Sequence, residues 1–296
     1  MRHLKILISG ASGFIGTYLA SFLGARGYQV FRLVRRVPRH EKEILWNQSA
    51  VPQITGYDAV IHLAGETIMG RWTAEKKARI LDSRTTGTQN LAMALAKAPV
   101  RPQVLLSASA VGYYGAHGAE LLTEDSAPGH DFLAQVAQQW EAATQPARDA
   151  GIRTVNLRIG MVLSADGGAL RRMVTPFRLG LGGRIGPGSQ WMSWITLTDL
   201  VAAMEFALEN SSLAGPVNFV APHPVRSAEF ARTLGRVLRR PAVFPVPAAI
   251  VKLIFGEMGE SLLLSGQRVV PEKLQAAGFE FQHAELESAL RAMLGR

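Results

Sequence analysis

The chain contains no cysteine. That excludes disulfides, thiolate nucleophiles and cysteine-ligated metals, and no metal site is expected. It also lacks any apolar run near the roughly 18 residues of a membrane span. The first apolar run, Leu4 to Ser9, is only strand length and enters a glycine turn, which argues against a signal peptide. A cytoplasmic protein without a membrane partner is the expectation. Acidic residues are scarce, 23 against 32 Lys and Arg, giving a net charge of +9. Such a balance can signal nucleic acid, but there is no zinc-finger spacing and no basic helix with heptads. Arginines come only in short pairs such as Arg35-Arg36, Arg171-Arg172 and Arg239-Arg240. A generally basic solvated surface is expected instead of a nucleic-acid partner. Internal repeats and low-complexity tracts are missing too.

What is present begins at the N-terminus. Leu4-Lys5-Ile6-Leu7-Ile8-Ser9 reads as a strand, and Gly10-Ala11-Ser12-Gly13-Phe14-Ile15-Gly16 follows directly. Thr17 to Leu23 then reads as helix. A strand feeding a glycine turn into a helix N-terminus places open N–H groups and the positive helix end where a pyrophosphate can sit. Gly10 makes the tight turn, Gly13 admits phosphate close to backbone, and Gly16 lets the helix pack on the strand. The spacing is G-x-x-G-x-x-G, not the standard G-x-G-x-x-G.

Gln29 to Val34 reads as the second strand and ends at Arg35-Arg36, with no Asp or Glu between Gly16 and Glu41. An acid at that strand's end would bind the NAD ribose, whereas arginine suits the 2′-phosphate of NADP. NADP(H) is therefore the expected cofactor. Asp58 to Leu63 is a buried strand running into Ala64-Gly65-Glu66, whose small residues let backbone lie close to a cofactor. His62 within it reads as a packed core residue. A long helix is expected over 73–97 with Thr73 as N-cap, a strand over 103–107, a helix over 132–149 and a strand over 154–158. This alternation implies α/β architecture, a Rossmann doubly wound parallel sheet with a smaller C-terminal substrate-side lobe. Gly10, Arg35, Ala64, Ser109 and Arg158 should then approach one crevice at the strand ends. The expected division is 1–160, with parts of 190–220, for the cofactor domain. Interleaved substrate-side segments follow over 161–240, and a mostly helical C-terminal piece spans 241–296.

These segments together resemble the extended short-chain dehydrogenase/reductases, and within them the atypical "epimerase family protein" branch. The resemblance rests on Gly10 to Gly16, Leu63-Ala64-Gly65-Glu66, Arg71-Trp72-Thr73, Ser83-Arg84, Ser107 to Gly115, Trp140-Glu141, Leu157 to Gly160, Pro176 to Gly183 and Gln190 to Ile195. It implies a nucleotide cofactor, chemistry by hydride transfer, and a possible homodimer through the helices near 73–97 and 132–149. The departures concern catalysis. The family's Tyr-x-x-x-Lys pair is missing, since none of the five tyrosines has lysine four residues on. Aligning Glu141 with the family's helix glutamate puts Leu133 and Ala137 at the Tyr and Lys positions. Arg84 stands where related epimerases have asparagine, and Val111-Gly112-Tyr113-Tyr114-Gly115 carries an extra residue beside Ser109.

Tyr114, Ser109 and Glu66 remain as catalytic candidates, Glu66 either binding ribose or acting as an acid. Lys76 or Lys77 could assist a tyrosine from the neighbouring helix, though both read first as solvated surface residues. Cofactor contacts are expected from Gly10, Ser12, Gly13, Phe14, Ile15, Gly16, Arg35, Arg36, Leu63, Ala64, Gly65, Arg84 and Arg158. Trp191 and Trp194 could cover a ligand or fill core. The reading is an NADP(H)-dependent, epimerase-like oxidoreductase of unknown small-molecule substrate. Its rival is a non-catalytic NADPH sensor or partner-binding protein.

Overall fold

The computed structural model describes residues 4–295; residues 1–3 and 296, the outer ends of the expected domain ranges, lie outside the described residues. Seven strands form the central sheet: β1 (Lys5–Ser9), β2 (Gln29–Val34), β3 (Glu43–Leu45), β4 (Ala59–His62), β5 (Val104–Ala110), β6 (Arg153–Ile159) and β7 (Gly215–Phe219). Their spatial order is β7-β6-β5-β4-β1-β2-β3, and every neighbouring pair is parallel. The order reverses between β1 and β4, which creates the crevice where such sheets take ligands.

The two-residue period of the strands decides which helix covers which face. Ile6, Ile8, Ile61 and Leu106 face α1 (Phe14–Ala25) and α6 (Leu197–Glu209), packing with Leu19, Leu23, Leu200 and Met204. Leu7, Val60 and Leu105 face the opposite side, against Leu91 and Leu95 of α2 (Ala74–Lys97). Thr73 caps α2 by accepting the Lys76 N–H, as its sequence suggests. The stretch over 132–149 is instead two helices, α3 (Phe132–Ala142) and α4 (Gln145–Asp149). Pro146 explains the break, because it has no N–H to continue the ladder and sits in the first turn of α4.

A second core gathers α5 (Gly168–Arg178), α7 (Ser227–Leu238) and α10 (Leu286–Leu294) around Trp194, Phe177, Phe230 and Leu290. Trp194 is wholly buried there, its indole N–H donating to the His223 carbonyl, so it fills core. Trp191 lies nearby between the guanidinium groups of Arg226 and Arg268. Between α7 and α10 in the chain, α8 (Ala248–Gly259) packs through Met258 against Ile80 of α2 and Val136 of α3, and α9 (Glu272–Ala276) lies against β7. A short strand, Arg268–Val269, pairs with Leu121–Leu122 and ties that return to the core.

Candidate functional site

The crevice is built first by the glycine turn after β1. Gly10 adopts φ 72°, and a Cβ there would lie 2.7 Å from the Ala64 nitrogen, so the turn packs directly on the end of β4. A Cβ on Gly16 would lie 2.2 Å from the Gly10 carbonyl oxygen, which keeps α1 close against the turn. Gly13 N–H donates to the Gly10 carbonyl and Thr17 Oγ1 to the Ala11 carbonyl, fixing the loop's shape. Gly13 is the N-cap of α1 and supplies no side-chain cap. Ser12, Gly13 and Phe14 are exposed at this helix end. The cradle has the close packing that a pyrophosphate site needs, and the residues fit the group.

At the end of β2 the two arginines part company. Arg36 is held by Glu43 of β3 through two hydrogen bonds of 2.8 and 2.6 Å. The Glu43 carboxyl is lowered to about 2 by those bonds, helped by the Arg39 N–H. Arg36 is thus clamped to β3, with two of its guanidinium nitrogens engaged by Glu43. Arg35 stays exposed, and its charge reaches Glu66 across the crevice.

Leu63, Ala64 and Gly65 leave β4 beside that turn, and Glu66 follows. Ser83 Oγ accepts the Glu66 N–H at 2.9 Å, and Arg84 donates to the Glu66 carbonyl at 2.9 Å. Lys76 Nζ lies 2.6 Å from Glu66 Oε1. The Lys76 hydrogen bond, with the charges of Lys76, Arg79 and Arg35, holds the Glu66 carboxyl below its ordinary range. Glu66 is therefore ionised at neutral pH and offers an acceptor at the crevice. Lys76 is itself buried, not solvated as its charged helical context implies. Arg84 lies close to Gly65 with its guanidinium over the Trp140 ring, and burial pushes it down to about 10. Beneath them His62 is fully buried between Ser9 Oγ and Thr88 Oγ1, and burial lowers it to about 4. It is neutral core.

The other polar group lies below β5 and β6, and here the structure departs most from the sequence reading. Ser109 Oγ donates to Glu141 Oε1 at 2.7 Å. Arg158 grips both Glu141 oxygens at 2.8 and 3.0 Å, and its remaining Nη1 donates to the Tyr114 hydroxyl and the Glu124 carbonyl. Tyr114 OH in turn donates to Asn218 Oδ1 at 2.7 Å. Ser109, Glu141, Arg158, Tyr114 and Asn218 are all buried. A single 3₁₀ turn, Val111–Tyr114, absorbs the extra residue and swings Tyr114 into the interior. Burial pushes the Tyr114 phenol up to about 12. Tyr114, Ser109 and Arg158 thus have their polar atoms engaged within the protein, which binds β5, β6 and β7 together.

The sequence does not disclose the buried pairing of Lys76 with Glu66 or the partners of Asn218 and Glu124, and it shows Glu141 only as a landmark. The Glu124 carboxylate accepts the N–H groups of Asn218 and Lys273, joining β7 to the start of α9. These partners lie 94 and 149 residues away. Leu133 does lie beside the serine turn, near Gly112. Among the described residues no cluster of His, Asp and Glu could hold a metal ion, and no helix is long and apolar enough to cross a membrane.

Comparison with known proteins gives the family and the fold. The model of the NAD dependent epimerase/dehydratase family matches residues 6–220, and that of a domain of unknown function, DUF1731, matches 246–293. The chain is 43% identical over 295 residues to the epimerase family protein MT2273 of Mycobacterium tuberculosis, covering 98% of this chain and 97% of that one. It is 39% identical over 295 residues to human epimerase family protein SDR39U1, covering 98% and 100%. The crystal structure of human SDR39U1 (isoform 2) with NADPH superposes with a TM-score of 0.93 at 38% identity, covering 99% of this chain and 100% of that one. UDP-N-acetylglucosamine 4-epimerase from Bacillus cereus, at 18% identity and TM-score 0.77, shares the fold over 98% of each chain.

Proposed function

The chain belongs to the NAD dependent epimerase/dehydratase family, and on that premise we propose that it binds NADP(H) and uses it for oxidoreduction or epimerisation of a small molecule. The observation that carries the proposal is the glycine turn locked against the end of β4, with Arg35 exposed at the end of β2 and, among the described residues, in no ion pair. The turn would seat the pyrophosphate, and Arg35 would pair with the 2′-phosphate. The NADPH in the crystal structure of the human relative supports the same cofactor. Leu63, Ala64 and Gly65 would line the cofactor's path, with Arg84 offering its remaining donors to ribose or to a substrate anion.

The bound cofactor supplies or accepts hydride; the protein must manage the accompanying proton. In place of the Tyr-Lys pair we assign that task to Lys76 and Glu66. Lys76 offers a buried ammonium at the crevice wall, and the half-exposed Glu66 can pass protons between it and solvent. Titrating NADPH, NADP, NADH and NAD into pure protein, with Arg35→Ala beside it, tests cofactor binding. If Arg35→Ala left the NADPH to NADH affinity ratio unchanged, the 2′-phosphate assignment would be wrong.

A second reading, a cofactor sensor without turnover, draws on the burial of Ser109 and Tyr114. Tight NADPH binding without oxidation in the presence of any member of a carbonyl library would favour it.

A further inference from the structure

Two separated segments of the second half carry no acidic residue at all. Residues 167–198 contain four arginines and no Asp or Glu, and residues 230–256 contain four arginines and one lysine, again without an acid. The fold lays parts of these two segments side by side. Phe244 N–H donates to the Gly182 carbonyl and Val246 N–H to the Arg184 carbonyl, while Arg240 Nε reaches the Arg178 carbonyl. Pro247 then opens α8.

The joined strip is strongly apolar at its surface. Leu253 is 86% exposed, Leu179 71% and Val243 67%, with Ile254, Leu181 and Phe244 each more than half exposed. Arg178, Arg184, Arg239 and Arg240 belong to the same two runs, and among the described residues none of the four makes an ion pair. The two acids at the far end of α8 are engaged, Glu257 with Lys77 of α2 and Glu260 with Lys252. An apolar face of this kind exceeds the scattered exposure of ordinary surfaces and marks an interaction site.

We propose that this strip is a docking surface for an anionic lipid bilayer. Leu, Ile, Val and Phe side chains on one helix and an adjoining loop would enter the interface, and the unpaired arginines would meet lipid phosphates. A second copy is the weaker occupant. A two-fold contact sets one patch against itself, so arginines would face arginines with no acid to receive them. Absence of a membrane-length apolar run bears on crossing a bilayer, not on lying against one. The strip also adjoins the crevice. Beyond the bend at Gly256, Met258 packs in one cluster with Trp72 and Ile80, beside the α2 turn that carries Lys76. Docking would therefore set the mouth of the crevice near the lipid surface.

The test is flotation of the full chain with phosphatidylcholine vesicles made with and without phosphatidylglycerol, at low and high salt. The proposal expects binding only to the anionic vesicles, reversed by salt. Leu253→Asp and, on the neighbouring segment, Leu179→Asp should each lower binding roughly tenfold or more. Arg178→Gln should cost roughly fivefold at low salt. Circular dichroism of each variant verifies that it is folded, so the vesicle result stands whether or not cofactor binds. Absence of binding to anionic vesicles at low salt would overturn the proposal. So would binding that both Asp variants leave intact, or a protein dimer in solution that Leu253→Asp dissociates.

Discussion

Two polar clusters of similar composition lie at the C-terminal side of this sheet, and they have opposite fates. At the end of β4, Glu66, Lys76 and Arg84 meet with spare donors and acceptors and a carboxylate still half open to solvent. Below β5 and β6, Glu141, Arg158, Ser109, Tyr114 and Asn218 are sealed, and each polar side chain is matched to another. Closure makes the second cluster a fastening between strands. Openness leaves the first able to do chemistry. Residue type alone does not separate them; the difference lies in whether the side chain's hydrogen-bonding capacity is already spent.

Breaking the sealed cluster should give the largest effect. Arg158→Met leaves the Glu141 carboxylate buried beside Ser109 without its cation, and should cost about 3–5 kcal/mol in urea unfolding. The double change Arg158→Met with Glu141→Leu should recover much of that loss, because no charge then remains unpaired.

Acid titration sharpens the comparison from the stability side. His62 is neutral in the folded state down to about pH 4, whereas an unfolded histidine protonates near 6.5. Its folded value is depressed, so the unfolded state binds the extra proton between these values. Stability contributed by neutral His62 is full above about 6.5 and falls as pH drops towards 4, by up to about 3 kcal/mol. In His62→Asn, urea midpoints measured between pH 7 and 4 should lose this part of their slope.

The open cluster should respond in activity before stability. Lys76→Met should lower kcat by roughly 10²-fold or more once a substrate is in hand. Tyr114→Phe should instead cost about 1 kcal/mol of stability and leave kcat within a few-fold of the parent. The reverse pattern, with Tyr114→Phe abolishing turnover, would exchange the roles of the two clusters. A smaller effect is expected at the rim. Arg35→Ala should weaken NADPH by about tenfold, the loss of one charge-assisted contact, and leave NADH unchanged.

Much of the open side was legible in the sequence because its signals are local. The turn from Gly10 to Gly16 joins a strand to a helix within a dozen residues, and Thr73 caps α2 three residues from its partner. Arg35 and Ala64 were placed at strand ends by the alternation of elements. The sealed side was not legible. Tyr114 is fixed by Asn218, 104 residues on, and Arg158 by Glu141 on a different element. Strand periodicity says which face a residue takes but not whether a partner waits there. Lys76, flanked by Glu75 and Lys77, has the look of a solvated helical face; its burial comes from Glu66 on the preceding loop. The break within 132–149 comes from Pro146, a signal local to the sequence.

The central claim is that the crevice at the β1–β4 junction takes NADP(H). Calorimetric titration of NADPH, NADP, NADH and NAD into the pure chain tests it most directly. The account predicts tight binding of NADPH and NADP, weaker binding of NADH and NAD, and loss of that preference in Arg35→Ala. Failure of all four dinucleotides to bind the folded protein would contradict it.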